Sequence, residues 1–328
     1  MKRLVLIFVV IFSIFNSCKN QQEEDLNLRH LNHIAESINS DLSLIKKEII
    51  NLARSSQYKI PFDKEINGFS TEKYHYQSDQ ILYCTYNSSQ SAVYYPSNRN
   101  FSIPLKKIIV NSESLDSFFV NSVRKKPLLA QIYFLDTNSF LRIYPYIDVL
   151  NYLKSSIDLK LFAPYQTAKE KPFIENRAYW INQPFADPYG RGWIISCVEP
   201  IYYRDRFLGI LSGDITLYSL KNKYFSSDTE IIIMIDQKGK IICCTKQAAK
   251  ITNIPIIRAF QYYKPVTENI YAFNKPSLMD HKNKYFRKAI KSLISGKNKE
   301  IFFIENNKYT IYKSHIRETD WLLLKIIN

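Results

Sequence analysis

Apolar positions between residues 23 and 54 recur at helical period. Leu28, Leu31, Ile34, Ile38, Leu42, Ile45, Ile49 and Leu52 follow one another at steps of three or four, which places them on one face. Glu23, Glu24 and Asp25 open the stretch and Lys46, Lys47 and Arg54 lie near its end, a charge order that suits the helix dipole. At 1.5 Å per residue, about 32 residues would reach roughly 48 Å. Such a helix serves as a spine, as a dimerising coiled coil, or as both.

After residue 77 the apolar residues take on the period of strands. Residues 81–86 and 92–95 read as a hairpin around Asn87-Ser88-Ser89. Ser112 reads as the N-cap of a helix running to about Val123, ahead of Pro127. Residues 129–136 and 140–146 form a second strand pair, and residues 157–170 are helical or irregular, with a break at Pro164-Tyr165. Residues 192–203 and 207–217 are two long apolar strands hinged at Tyr203–Arg206. A short helix then leads to a smaller copy of the same plan. Strands 229–235 and 240–245 flank a turn at Asp236–Gly239, an amphipathic helix covers Lys284–Leu293, and strands 300–304, 309–316 and 321–327 form a meander. The order predicts an α+β chain in which two antiparallel sheets flanked by helices follow one long N-terminal helix.

Composition narrows the function classes. A chain of 328 residues with 46% apolar residues and 24 Tyr and 20 Phe is a folded, core-forming protein with room for two domains. Only 7 Gly are present, and neither GxGxxG nor GxxxxGK[ST] occurs, which argues against a glycine-cradled phosphate site. The formal charge of +15 is scattered, without an Arg/aromatic RNA motif, so it reads as a solvated basic surface, with anionic lipid as the sharper alternative and nucleic acid excluded. No CxxC occurs and the five His show no ligand spacing to Cys, so no metal or cofactor is expected. No Ser/His/Asp or Cys/His set stands out, and the chain is not expected to be an enzyme.

The first residues have a separate logic. Lys2-Arg3 precedes an apolar run from Leu4 to Phe15, too short for a bilayer-spanning helix of about 20 residues. Asn16, Ser17 and Cys18 follow, then a polar stretch. This resembles the signal peptide and lipobox of bacterial lipoproteins, with departures at Phe15 and Asn16. The resemblance implies a signal peptide over 1–17, lipidation of Cys18 and a tether over 18–22. A plain secretory signal and an uncleaved anchor are the other readings.

Two further stretches carry a resemblance. Phe140-Leu-Arg-Ile-Tyr-Pro-Tyr146 is one. Tyr179-Trp-Ile-Asn-Gln-Pro-Phe-Ala-Asp187, Gly192-Trp-Ile-Ile-Ser196, Pro200-Ile-Tyr202 and Phe207-Leu-Gly-Ile-Leu-Ser-Gly-Asp-Ile215 make up the other. They resemble the signature runs of the double Cache (dCache) family of extracytoplasmic sensor domains, built from tandem PAS-like modules. The resemblance implies a long helix and connector over 23–68, a membrane-distal, ligand-binding module over 69–217 and a membrane-proximal module over 218–328. It implies no enzyme activity but binding of an amine, amino acid or small organic acid, with the signal passing to a separate partner protein. Members that bind amino acids hold the carboxylate with an Arg and the ammonium with two Asp. Here the matching positions are Arg177 with Tyr179 and Trp180, Phe185 with Asp187, and Asp214. Tyr144 and Tyr146, two apart in one expected strand, are added as pocket candidates. The alternative function is a surface-interaction lipoprotein with a degenerate, ligand-free Cache fold. A homodimer through the N-terminal helix is compatible with either.

Overall fold

The computed structural model describes residues 2–60, 69, 72–77, 81–85, 90–96, 102–170, 178–203, 205–227, 229–253 and 276–328. The first helix, α1, is longer at both ends than its periodic stripe and spans Lys2–Lys59. Its whole length contains neither Pro nor Gly, so nothing in the sequence stops it. From Leu31 onward, Ala35, Ile38, Leu42, Ile45, Ile49 and Leu52 are buried, the face that periodicity picked out. Among the described residues no helix is long and apolar enough to cross a membrane.

The chain divides into two compact units. One comprises Asp41–Lys223; the other combines Met1–Ser40 with Tyr224–Ile256 and Lys275–Asn328.

The larger unit opens with β1 (Tyr74–Tyr76), β2 (Leu82–Cys84) and β3 (Ala92–Tyr95), then α2 (Ile103–Asn111), α3 (Asp116–Lys125), β4 (Leu129–Asp136) and β5 (Leu141–Tyr144). After α4 (Val149–Tyr152) and α5 (Ala163–Glu170) come β6 (Tyr179–Trp180), β7 (Phe185–Ala186), β8 (Trp193–Tyr203), β9 (Arg206–Thr216) and α6 (Leu217–Tyr224). The strands form one sheet in the order β1-β2-β3-β5-β4-β9-β8-β6, with β7 also pairing to β8. Local expectations change at three points. The helical stretch does begin at Ser112, as a 3-10 turn over Ser112–Leu115 that runs into α3, but Ser112 is no N-cap: it also ends α2, and its hydroxyl donates back to the Ile109 carbonyl at 2.9 Å. The helix α2, with Pro104 near its start, was not anticipated. Pro164 does not break a helix but lies in the first turn of α5, where its missing N–H costs nothing.

The smaller unit holds β10 (Ile231–Ile235), β11 (Ile241–Cys244), α7 (Lys246–Ile251), α8 (Lys284–Ile294), β12 (Lys299–Ile304), β13 (Asn307–Ile316) and β14 (Trp321–Ile327). Its antiparallel sheet runs β11-β10-β14-β13-β12. One face packs Ile233, Ile235, Phe302, Ile311, Leu322 and Leu324 against Phe286, Ile290 and Leu293 of α8.

The internal repeat appears at atomic level in one turn. Asp136 Oδ1 accepts from the amides of Asn138 and Phe140, both at 2.7 Å, and the Asp136 amide donates to Phe140 O at 2.9 Å. Asp236 Oδ1 accepts from the amides of Lys238 and Lys240 at 2.9 and 2.8 Å, and its amide donates to Lys240 O at 2.9 Å. The fourth residue is left-handed in each, Ser139 at φ 67° and Gly239 at φ 78°. One aspartate thus closes the equivalent hairpin in both units. Burial holds the Asp136 carboxyl up at about 6, against the two amides and the Asn138 side chain that favour its ionised form. Asp136→Ala strands two backbone donors, and we expect it to cost about 2–4 kcal/mol by urea denaturation; a loss below ~1 kcal/mol would show that the turn does not depend on this carboxylate.

Candidate functional site

Strands β4, β9 and β8 lie side by side, and their register sets three polar residues in one row. Gln131 is opposite Asp214, and Asp214 is opposite Ser196. Alternation sends all three to the same face, together with Tyr133 and Leu135 on β4 and Ile194 and Val198 on β8. The residue before Asp214 explains the strand's other face: a Cβ on Gly213 would stand 2.6 Å from Ile49 Cδ1 of α1. Gly213 lets the helix approach while Asp214 faces the opposite way.

Above this face sit Leu159, Phe162 and Pro164, and the turn after β7 that carries Asp187, Pro188 and Tyr189. They enclose a cavity of about 30 Å³ whose wall includes Gln131, Tyr133, Phe185, Tyr189 and Asp214. That is room for about two water molecules.

The polar atoms at the base form a connected set. The Gln131 side-chain N–H group donates to Asp214 Oδ2 at 2.5 Å and to Asp187 Oδ1 at 3.3 Å, so one amide nitrogen lies between two carboxylates. Asp214 Oδ1 accepts from the Ser196 hydroxyl at 2.6 Å and from the Ser212 hydroxyl at 3.4 Å. Asp187 Oδ2 accepts from the Arg191 amide at 3.0 Å, which also fixes the turn. Asp187, Asp214, Gln131, Ser196 and Ser212 are all buried, yet among the described residues no Lys or Arg side chain bonds either carboxylate. Burial therefore raises both carboxyls, Asp214 to about 7, and the nearby Asp187 charge adds to the effect on Asp214. The Arg191 guanidinium acts on both in the opposite direction. Tyr133 and Tyr189 are pushed well above the ordinary phenol range, first by burial and then by the aspartate charges. Two buried polar atoms here have no partner among the described residues: Gln131 Oε1 and Arg191 Nη1.

Four of the residues singled out in the sequence meet at this face. Asp214 and Phe185 line the cavity, Asp187 bonds its base, and Tyr179, opposite Val198, packs against the apolar cluster around it. The others are placed differently. Trp180 is opposite Cys197, so it projects from the far face of β8 with Gly213's side of the sheet. Tyr144 is opposite Ile132 and likewise faces away, because the cavity side of β4 is its odd-numbered residues. Strand β5 ends at Tyr144, so strand alternation does not extend to Tyr146, which packs against the same apolar cluster as Tyr179 while its hydroxyl donates to the Cys84 carbonyl at 3.1 Å. Arg177 and the side chain of Cys18 lie outside the described residues. Gln131, Ser196, Tyr133, Tyr189 and Arg191 were not anticipated. The one visible signal for the first two was a polar residue at an inward position of an otherwise apolar strand.

Among the described residues no group of three or more His, Cys, Asp or Glu could hold a metal ion. No family model matches the chain, and neither does any curated protein. Solved structures do. The sensory domain of the Campylobacter jejuni chemoreceptor Tlp3 with isoleucine bound is 12% identical, covers 94% of this chain and 95% of its own, and superposes with a TM-score of 0.52. The ligand-binding domain of the Pseudomonas aeruginosa amino acid chemoreceptor PctB in complex with L-Arg is 13% identical, covers 93% and 96%, and gives 0.54. The chain shares the fold of these chemoreceptor domains, a long N-terminal helix followed by two antiparallel sheets flanked by helices. At this identity the likeness is one of architecture, and the chemistry of the site rests on the residues above.

Proposed function

We propose that this chain is a lipid-anchored, extracytoplasmic Cache-fold sensor whose larger unit binds a small molecule bearing a protonated amine. The carrying observation is the pair of buried carboxylates, Asp187 and Asp214, bridged by the neutral Gln131 amide, with no cationic side chain bonded to either among the described residues. A cationic ammonium in place of that amide would meet two charge-assisted acceptors in a water-poor site, where such bonds are strongest. The unpartnered Arg191 Nη1 beside this turn is the candidate donor for a ligand carboxylate. Amino acids are the leading ligand class, supported by what the structurally similar PctB and Tlp3 domains hold. The cavity is smaller than an amino acid, so binding requires Gln131 and the Phe162–Pro164 segment to move aside. The Cys18 lipid holds the chain on the membrane, the signal passes to a separate partner protein, and α1 offers a dimer contact.

A thermal-shift screen of the full chain against amino acids, amines and organic acids tests the reading. A ligand at 100-fold its dissociation constant is expected to stabilise by about 2.7 kcal/mol. Asp187→Ala and Asp214→Ala should each abolish the shift, and a shift that survives both places the ligand elsewhere. The small, side-chain-filled cavity also favours a second reading, a ligand-free Cache fold serving as a surface-interaction lipoprotein. No shift with any amine or amino acid would select it. Palmitate incorporation that persists in Cys18→Ser would refute the lipid anchor.

A further inference from the structure

Strand β12 forms one edge of the smaller unit's sheet, and its side chains alternate across it. Phe302 enters the α8-side core, whereas Ile301 and Phe303 are 45% and 49% exposed on the other face. Across β13 they are opposite Thr310 and Lys308, and Thr310 is in turn opposite Ile327 of β14.

The path of α1 gives this end of the sheet its meaning. Asn39 bonds the carbonyl of His315 and the amide of Glu318, and Glu36 pairs with Arg317. Further toward the N-terminus, His30 meets Lys325 and Glu230. Moving back along α1 therefore moves along β14 from its start to Lys325, and the next row is Ile327, Thr310 and Ile301. Leu26, one helical turn before His30, is 65% exposed. Cys18 lies about 12 Å beyond it at 1.5 Å per helical residue.

The exposed apolar residues are ringed by lysines. Lys297 is 68% exposed, Lys308 is exposed, and Lys299 stands over the Tyr312 ring at 5.8 Å. Glu300 is held by Lys297 and Ser292, and from Lys297 to Lys308 three lysines stand against two acidic residues, Glu300 and Glu305. Apolar residues set in a basic rim, close to the chain's attachment point, suit the headgroup layer of an anionic bilayer. We propose that this face docks on the membrane, with Ile301 and Phe303 at headgroup depth and Lys297, Lys299 and Lys308 against anionic headgroups. The inference rests on the anchoring at Cys18 proposed above.

The test uses the full chain reconstituted into vesicles of phosphatidylethanolamine and phosphatidylglycerol, with or without brominated acyl chains. The native Trp180, Trp193 and Trp321 are buried and give a constant background. Phe303→Trp, a substitution at an exposed position that leaves the core untouched, adds the reporter. Its added emission is expected to be blue-shifted and to lose at least half its intensity in brominated vesicles, and charge reversal at Lys299 and Lys308 should restore most of it. If the chain pellets with vesicles but the added emission stays red and unquenched, the docking is wrong and the anchoring stands. If the chain remains in the supernatant, the anchoring reading falls and takes the docking with it. A blue shift that scales with protein concentration and ignores brominated lipid would overturn the proposal in favour of a second copy pairing along the β12 edge.

Discussion

Arg142→Met is expected to destabilise the larger unit by about 3–5 kcal/mol, the largest effect of any single substitution considered. Arg142 is buried on β5 and every one of its donors is used. Nη1 bonds both oxygens of Asp116 at 3.0 Å, Nε bonds Ser112 Oγ at 2.9 Å, and Nη2 bonds Tyr74 OH at 3.0 Å and Ile109 O at 3.1 Å. One guanidinium thereby ties β5 to β1 and to the α2–α3 segment. Its removal leaves the Asp116 carboxylate with the Ser91 amide at 3.3 Å as its remaining hydrogen bond. It also leaves the buried Ser112 hydroxyl and Ile109 carbonyl without that donor. Most of the cost is the stranded charge rather than the lost pair, so Arg142→Met with Asp116→Leu should recover much of it. Arg142→Lys should not, because a point charge cannot satisfy five acceptor directions. Calorimetry on the full chain is the check. The account fails if Arg142→Met melts within about 2 °C of the parent, or if the double variant is no more stable than the single one.

Asp214→Asn is expected to do two opposite things. Burial raises this carboxyl from its ordinary 3.8 to about 7. The folded state then holds a proton that the unfolded state has released. The stability associated with it is complete below about pH 4 and is lost as pH rises through about 7. At pH 8 the ionised carboxylate costs up to about 4 kcal/mol, from roughly three pH units at 1.36 kcal/mol each. Asparagine carries no such charge, and Gln131 can turn its amide to offer Oε1, the atom that now lacks a partner. The variant should therefore melt higher than the parent at pH 8 and alike at pH 4. Asp187 shifts in the same direction, while Arg191 opposes both. The same substitution should abolish amine binding, because a cationic ligand needs Asp214 ionised, and in the parent affinity should fall about tenfold per pH unit below 7. Equal melting temperatures at pH 8 would mean that the carboxylate is not strained by its burial. Amine affinity independent of pH would place the ligand away from Asp214.

Much of the fold was legible because its signals are local. The helical period from Leu28 to Leu52 marked the buried face of α1, and β8, β9 and the β12–β14 meander fall within a residue or two of their apolar runs. The misplaced boundaries are also local in cause. Lys106 and Lys107 interrupt the apolar residues of Ile103–Val110, so the short helix α2 left no clear period, and Pro164 marks a helix start as readily as a break.

The site was legible only in part. Asp187 and Asp214 were named through the family resemblance, and Asp214 also because a carboxylate in an apolar strand demands a partner. What that partner is depends on which strand lies beside which. Gln131 precedes Asp214 by 83 residues, and only the β4–β9 register puts its amide between the two aspartates. The same register removes Trp180 and Tyr144 from the cavity, since a side chain's face is fixed by the row it pairs with and not by its aromatic character. The sequence by itself determined the elements, the two-sheet plan and the aspartates, because backbone period and the cost of a buried charge are properties of short stretches. The tertiary structure alone decided the bridging amide, the placement of Arg191 near both aspartates and the size of the cavity. Each of these arises from packing between segments far apart in the chain.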